Sequence, residues 1–142
     1  MIQKITIPCH TSKLKDVRDF VSLCIKSLDL TEKDQFLLVL AVDEICANRI
    51  LHSNQNDNSR QLEVVIASEN SDVVFYIKDQ GDFFDLTNAA EPPALADLAK
   101  ERRKGGLGLS LIKKIIDSIE VFKEENYTIH RLIKKSSVLS QF

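Results

Sequence analysis

Glycine is scarce in this chain, with four in 142 residues. It is the residue that takes positive φ or lets a backbone approach another group closely, so its few positions mark where such freedom is needed. They fall in two places: Gly81, within Asp79-Gln80-Gly81-Asp82-Phe83-Phe84-Asp85, and the cluster Gly105, Gly106 and Gly108. Cysteine is sparse too. Cys9, Cys24 and Cys46 are odd in number and include no C-x-x-C pair, so they read as reduced core thiols and not as a disulfide framework or zinc site. Neither sign of charge dominates: the formal net charge is −2 and the pI about 5.9, which gives no support for nucleic-acid binding. The longest apolar run, Phe36 to Val42, falls far short of the roughly 20 residues a membrane helix requires. The start, Met1-Ile2-Gln3-Lys4, predicts no signal peptide. These absences point to a cytoplasmic protein with no membrane or nucleic-acid partner.

What remains has an ordinary globular composition, 44% hydrophobic and 28% charged. The length suits one domain, expected over residues 1–135, with 136–142 as a tail. Ile5 and Ile7 alternate before Pro8 and predict a first strand over Ile2 to Ile7. Thr11 or Ser12 can cap a following helix, whose apolar positions Leu14, Val17, Val21, Cys24, Ile25 and Leu28 recur at three- and four-residue steps. Thr31 begins a second helix, with Glu32 and Asp34 in its first turn and an end near Ser53. Asn54 to Ser59 reads as a solvated polar turn. Gln61 to Ser68 and Val73 to Asp79 predict an antiparallel hairpin, with Val73, Phe75, Ile77 and Asp79 on one face.

After that hairpin, Leu86 to Lys104 shows no strand periodicity and contains Pro92-Pro93, with a short helical turn plausible over Ala94 to Arg103. Its length suggests a lid. A third helix is expected from Leu109 to Ser118, burying Leu109, Ile112, Ile115 and Ile116. Ile119 to Lys123 and Tyr127 to Lys134 predict a closing hairpin. The order β-α-α-β-β-loop-α-β-β argues for an α+β two-layer sandwich, a mainly antiparallel or mixed sheet with three helices on one face.

The second helix, from Phe36 to His52, is apolar nearly all round in its first half, which predicts burial between other elements. Its second half carries Glu44 and Asn48, one turn apart on one face. The pair is either satisfied structurally or faces a polar ligand. Gly81 reads as a turn after a strand. Gly105 to Gly108 is either a hinge or an anion site at a helix N-terminus; Arg103 and Lys104 before it are either a solvated face or added cationic charge.

Glu44 and Asn48 on the helix, Asp79 and Gly81 after a strand, and Gly105 to Gly108 together resemble the nucleotide-binding boxes of the GHKL (Bergerat-fold) ATPases. The branch most similar is the histidine-kinase-like, anti-sigma-factor serine/threonine kinases, and the likeness spans nearly the whole chain. The resemblance implies ATP and Mg²⁺ as cofactors. It makes Asn48 a ligand of the metal, a hard cation that wants oxygen, and Glu44 the general base. It puts Asp79, Gly81 and Phe84 at the adenine, Lys104, Gly105, Gly106, Leu107 and Gly108 around the phosphates, and the lid over about 86–104. It further implies a kinase that phosphorylates an antagonist protein and sequesters a partner such as a sigma factor, and it suggests a homodimer through the first strand and helix. A non-catalytic nucleotide-sensing module is the alternative.

Two positions depart from the family pattern. Phe83 stands where a small residue or proline is common. Arg49, next to Asn48, stands where a small or aliphatic residue is usual; it faces a partner or pairs with a nearby acid. His10, His52 and His130 suggest no site.

Overall fold

The computed structural model describes residues 2–83 and 108–135. Five strands form one sheet: β1 (Ile2–Pro8), β2 (Gln61–Glu69), β3 (Asp72–Asp79), β4 (Ser118–Glu124) and β5 (Tyr127–Lys134). Their spatial order is β1-β2-β3-β5-β4, and every pairing is antiparallel. Pro8 extends β1 past the expected end, which is tolerated because β1 is an edge strand of the sheet that the described residues form.

Side chains alternate across a strand, and the two faces of this sheet differ in character. Ile7, Leu62, Val64, Ile66, Phe75, Ile77 and Leu132 are buried on one face. The other carries Lys78 over the Tyr127 ring and Arg131 between Glu69 and Glu120. Helices α1 (Leu14–Ile25), α2 (Glu32–Asn48) and α3 (Gly108–Ile115) cover the apolar face. The result is the expected α+β sandwich. At roughly 25 cal/mol per Å², burying such a layer supplies the dominant favourable term in folding. No helix among the described residues is long and apolar enough to cross a membrane.

Local chemistry explains the boundaries. Thr31 caps α2, its Oγ1 accepting from the Asp34 backbone N–H at 3.0 Å, with Glu32 and Asp34 in the first turn as expected. The other start differs from expectation: a 3-10 turn (Thr11–Lys13) precedes α1 and is capped by His10, whose Nδ1 accepts from the Ser12 backbone N–H, while α1 itself follows Lys13 with no side-chain cap. The third helix ends at Ile115, earlier than expected, because Asp117 N–H donates to the Ile133 carbonyl at 2.9 Å and draws the chain into the sheet. Ile112, Ile115 and Ile116 are buried as expected; the Leu109 side chain lies outside the described residues. The first half of α2 is less enclosed than its composition suggests. Leu38 and Ala41 are buried, but Phe36 is 64% exposed.

Among the described residues, positive φ falls on residues other than glycine. Gln55, Asn56, Asn70, Ser71 and Glu125 take φ between 53° and 74° at turns, where short polar side chains and Asn tolerate the left-handed region best. Asn70 and Ser71 form the tight β2–β3 connection.

Candidate functional site

The site is built where α2 ends beside the end of β3. Beyond Asn48 the chain widens into a single π-helical stretch, Arg49–Ser53. Asn56 N–H reaches back to the Ile50 carbonyl at 2.7 Å and Asn54 N–H to the Arg49 carbonyl at 2.9 Å. Such wide turns insert an extra residue and re-aim side chains, often at functional positions. Here the turn sends Arg49 inward, to 3% exposure.

Asp79 receives it. As the last residue of β3, Asp79 stands in register between Leu62 and Thr128 on the core side of the sheet. Arg49 Nε donates to Asp79 Oδ2 at 2.8 Å and Nη2 to Oδ1 at 2.7 Å, a two-pronged ion pair. Arg49 Nη1 donates to the Asp82 carbonyl at 2.9 Å. Asp79 Oδ1 also accepts from Asn54 Nδ2 at 3.0 Å and from Gly81 N–H at 2.8 Å. A charge buried this deeply is tolerated only when paired and hydrogen-bonded, and Asp79 is both. Of the two roles open to Arg49, pairing with a nearby acid is the one realised.

Sequence reading missed two residues here. Asn54 was expected in a solvated turn, yet it is 1% exposed and its amide bridges the Arg49 carbonyl and Asp79. Thr128 is fully buried, and its Oγ1 donates to the Gly81 carbonyl at 3.1 Å. The signal for Thr128 was only a polar residue at an inward β5 position. For Asn54 it was a carboxamide just past a buried helix.

Glu44 and Asn48 are both half-buried on α2. Successive helical residues turn by about 100°, so Asp43 and Glu44 face different ways. Asp43 takes Arg18 of α1 at 3.0 Å, while Glu44 and Asn48 share another flank. Burial, and to a lesser degree the neighbouring Asp43, pushes the Glu44 carboxyl above its ordinary range. A partly desolvated carboxylate of raised basicity can accept a proton. Asn48 offers a carboxamide oxygen, a hard donor suited to Mg²⁺.

Gly108 opens α3. Phe84, Lys104, Gly105, Gly106 and Leu107, with the expected lid over 86–104 and tail over 136–142, lie outside the described residues. Phe83 is described and 44% exposed.

The sequence profile of the histidine kinase-like ATPase domain matches residues 7–134. A serine-protein kinase RsbW of Bacillus velezensis is 25% identical over 126 residues, covering 87% of this chain and 79% of the relative. A serine-protein kinase RsbW of Staphylococcus aureus is 30% identical over 105 residues, covering 70% of this chain and 66% of the relative. Two solved structures share the fold. The RsbU and RsbW domains of a Mycobacterium tuberculosis protein give a TM-score of 0.66 at 14% identity, over 96% of this chain and 32% of theirs. The histidine kinase domain of an Erythrobacter litoralis blue-light activated kinase gives 0.59 at 13% identity, over 95% of this chain and 64% of that one.

Proposed function

This chain belongs to the histidine kinase-like ATPase domain family, and from that premise we propose that it is a cytoplasmic Mg·ATP-binding regulatory switch of the anti-sigma-factor type. In this reading it phosphorylates a serine or threonine of an antagonist protein and sequesters a second partner, such as a sigma factor. The observation that carries the proposal is the pairing of Glu44, whose basicity is raised, with Asn48 one turn away on a half-buried flank of α2. The names of the RsbW relatives, serine-protein kinases, support the same class of reaction.

When bound, Mg·ATP supplies the transferable phosphoryl group and neutralises its charge. Asn48 would hold the metal through its carboxamide oxygen. Glu44 accepts the proton of the attacking hydroxyl and orients it. Asp79 and Gly81, with Phe84, would form the base end, while Lys104, Gly105, Gly106, Leu107 and Gly108 would surround the phosphates. Large exposed side chains at Ile2 on β1 and Leu23 on α1, 76% and 74% exposed, support a homodimer through the first strand and helix.

The test is incubation with candidate antagonist proteins and labelled ATP. Transfer to a serine or threonine that disappears in Glu44→Ala supports the kinase; transfer unaffected by Glu44→Ala removes the assigned base. One observation favours a second reading, a nucleotide-sensing module without catalysis: Phe83, 44% exposed, stands where the family commonly has a small residue or proline. That module binds nucleotide and docks a partner but transfers phosphate to none.

A further inference from the structure

We propose that Arg49 is an internal competitor for the base-reading carboxylate, so that an amino-bearing purine nucleotide enters only when its guanidinium leaves Asp79. The proposal rests on the nucleotide reading above and adds a residue that reading does not use.

The competition is one of donors for a single acceptor. A carboxylate offers about four lone-pair positions. Asp79 accepts from Arg49 Nε, Arg49 Nη2, Asn54 Nδ2 and Gly81 N–H, at 2.7–3.0 Å. Its side chain is 0% exposed and that of Arg49 4%. An exocyclic amino group of a base would bring the same kind of N–H donor to the same buried carboxylate, where Oδ1 already takes three donors and Arg49 Nε holds Oδ2. Of the four donors, the two from Gly81 and Asn54 come from a backbone amide and a short side chain tied to the Arg49 carbonyl at 2.8 Å. Only Arg49 has a long side chain that can rotate away and carry its charge toward water.

The position of Arg49 links this exchange to the rest of the site. It follows Asn48 directly and opens the π-helical turn, and its third donor holds the Asp82 carbonyl at 2.9 Å. Release of Asp79 therefore also releases the strand exit at Asp82. A protein whose competent state is a minor fraction shows a dissociation constant raised by the inverse of that fraction. Arg49 thus sets a threshold of nucleotide concentration, and it acts on the base, not on the phosphates.

Calorimetric titration of the full chain with Mg·ATP and, separately, with Mg·tripolyphosphate tests this in wild type, Arg49→Ala and Arg49→Gln. Glutamine carries an uncharged N–H donor at the same distance along the side chain as Arg49 Nε, so it serves where alanine leaves the buried carboxylate unpaired and the protein unfolds. The expected result is at least tenfold tighter Mg·ATP binding in the folded variants, with tripolyphosphate binding changed less than threefold. Equal ATP affinity in wild type and variants overturns the competitor and leaves the nucleotide reading standing. Equal tightening for tripolyphosphate also overturns it, because Arg49 would then act on the whole cleft. Absence of binding in every protein overturns both the competitor and the nucleotide reading.

Discussion

Gly81 lies against Ser53 with no room for a methyl group between them. A β-carbon on Gly81 would sit 2.6 Å from the Ser53 carbonyl oxygen and 2.8 Å from both the Ser53 carbonyl carbon and Asn54 Nδ2. The close approach that this glycine serves is to the protein's own backbone, at the end of the π-helical turn. Its neighbours fix it on both sides, since Gly81 N–H donates to Asp79 and its carbonyl accepts from Thr128.

Gly81→Ala is therefore expected to destabilise the fold by about 1–3 kcal/mol, the usual range for forcing extra atoms into a packed interior. The obstructing atoms are mainly backbone, so no side-chain rotation relieves the clash. Urea unfolding measures it, through the transition midpoint at constant slope. A loss below about 0.5 kcal/mol, the level of an ordinary surface change, would mean that the turn at Ser53 yields freely.

The ion pair beneath that glycine makes a second prediction. Removing one member of a buried pair strands the other, at about 3–5 kcal/mol, so Asp79→Ala should be among the most damaging single changes in the chain. Replacing both, as Arg49→Met with Asp79→Leu, removes the stranded charge and should recover most of that loss. A double-mutant cycle reads the coupling directly; additive single effects would show that the two side chains do not depend on each other.

The strands and hairpins were legible because each carries its own period: Leu62, Val64 and Ile66 alternate, and so do Phe75 and Ile77. Thr31 announced its helix by a rule that operates within three residues. Asp79 was legible as inward-facing for the same reason. What escaped were relationships that need the folded chain. Arg49 and Asp79 are 30 residues apart, and their pairing depends on a π-helical turn that no local pattern announces. Asn54 looked like part of a polar loop because hydrophilic composition is a fair guide to exposure, but one member of such a run can be drawn inward to satisfy a buried charge. The exposed Phe36 is the opposite case, an apolar residue of α2 that is 64% exposed among the described residues.

Thiol chemistry separates the three cysteines. Burial, with Asp79 nearby, pushes the Cys9 thiol up to about 11, and full burial raises Cys46 further. Cys24 is half-buried and raised less, again by desolvation. The thiolate is the reactive form, so at neutral pH a disulfide reagent should label Cys24 slowly in the native protein. Cys9 and Cys46 should react only after unfolding. Counting labelled thiols by mass spectrometry before and after denaturant checks this, and rapid native labelling of Cys46 would contradict its burial.

Glu44 joins stability to function with opposite signs. Its carboxyl is raised first by burial and then by Asp43. A carboxyl whose folded pKa lies above its unfolded value contributes stability that is fully present below the unfolded pKa and lost as pH rises through the folded one. Above its raised folded pKa the group is ionised in a partly desolvated place, so wild type carries a penalty there. Glu44→Gln removes the charge and keeps the shape; it should abolish phosphoryl transfer while leaving the protein slightly more stable at pH 7 than wild type, with that advantage vanishing in acid. Transfer by wild type needs the carboxylate form, so the acid limb of its pH profile should lie above the ordinary carboxylate range. Asp43→Asn removes the smaller of the two causes and should move that limb modestly to lower pH. Thermal unfolding of wild type and Glu44→Gln from pH 4 to 8, with the transfer assay over the same range, measures both. A Glu44→Gln protein less stable than wild type at pH 7 would show that the ionised carboxylate has a stabilising partner, which would make its role on α2 structural.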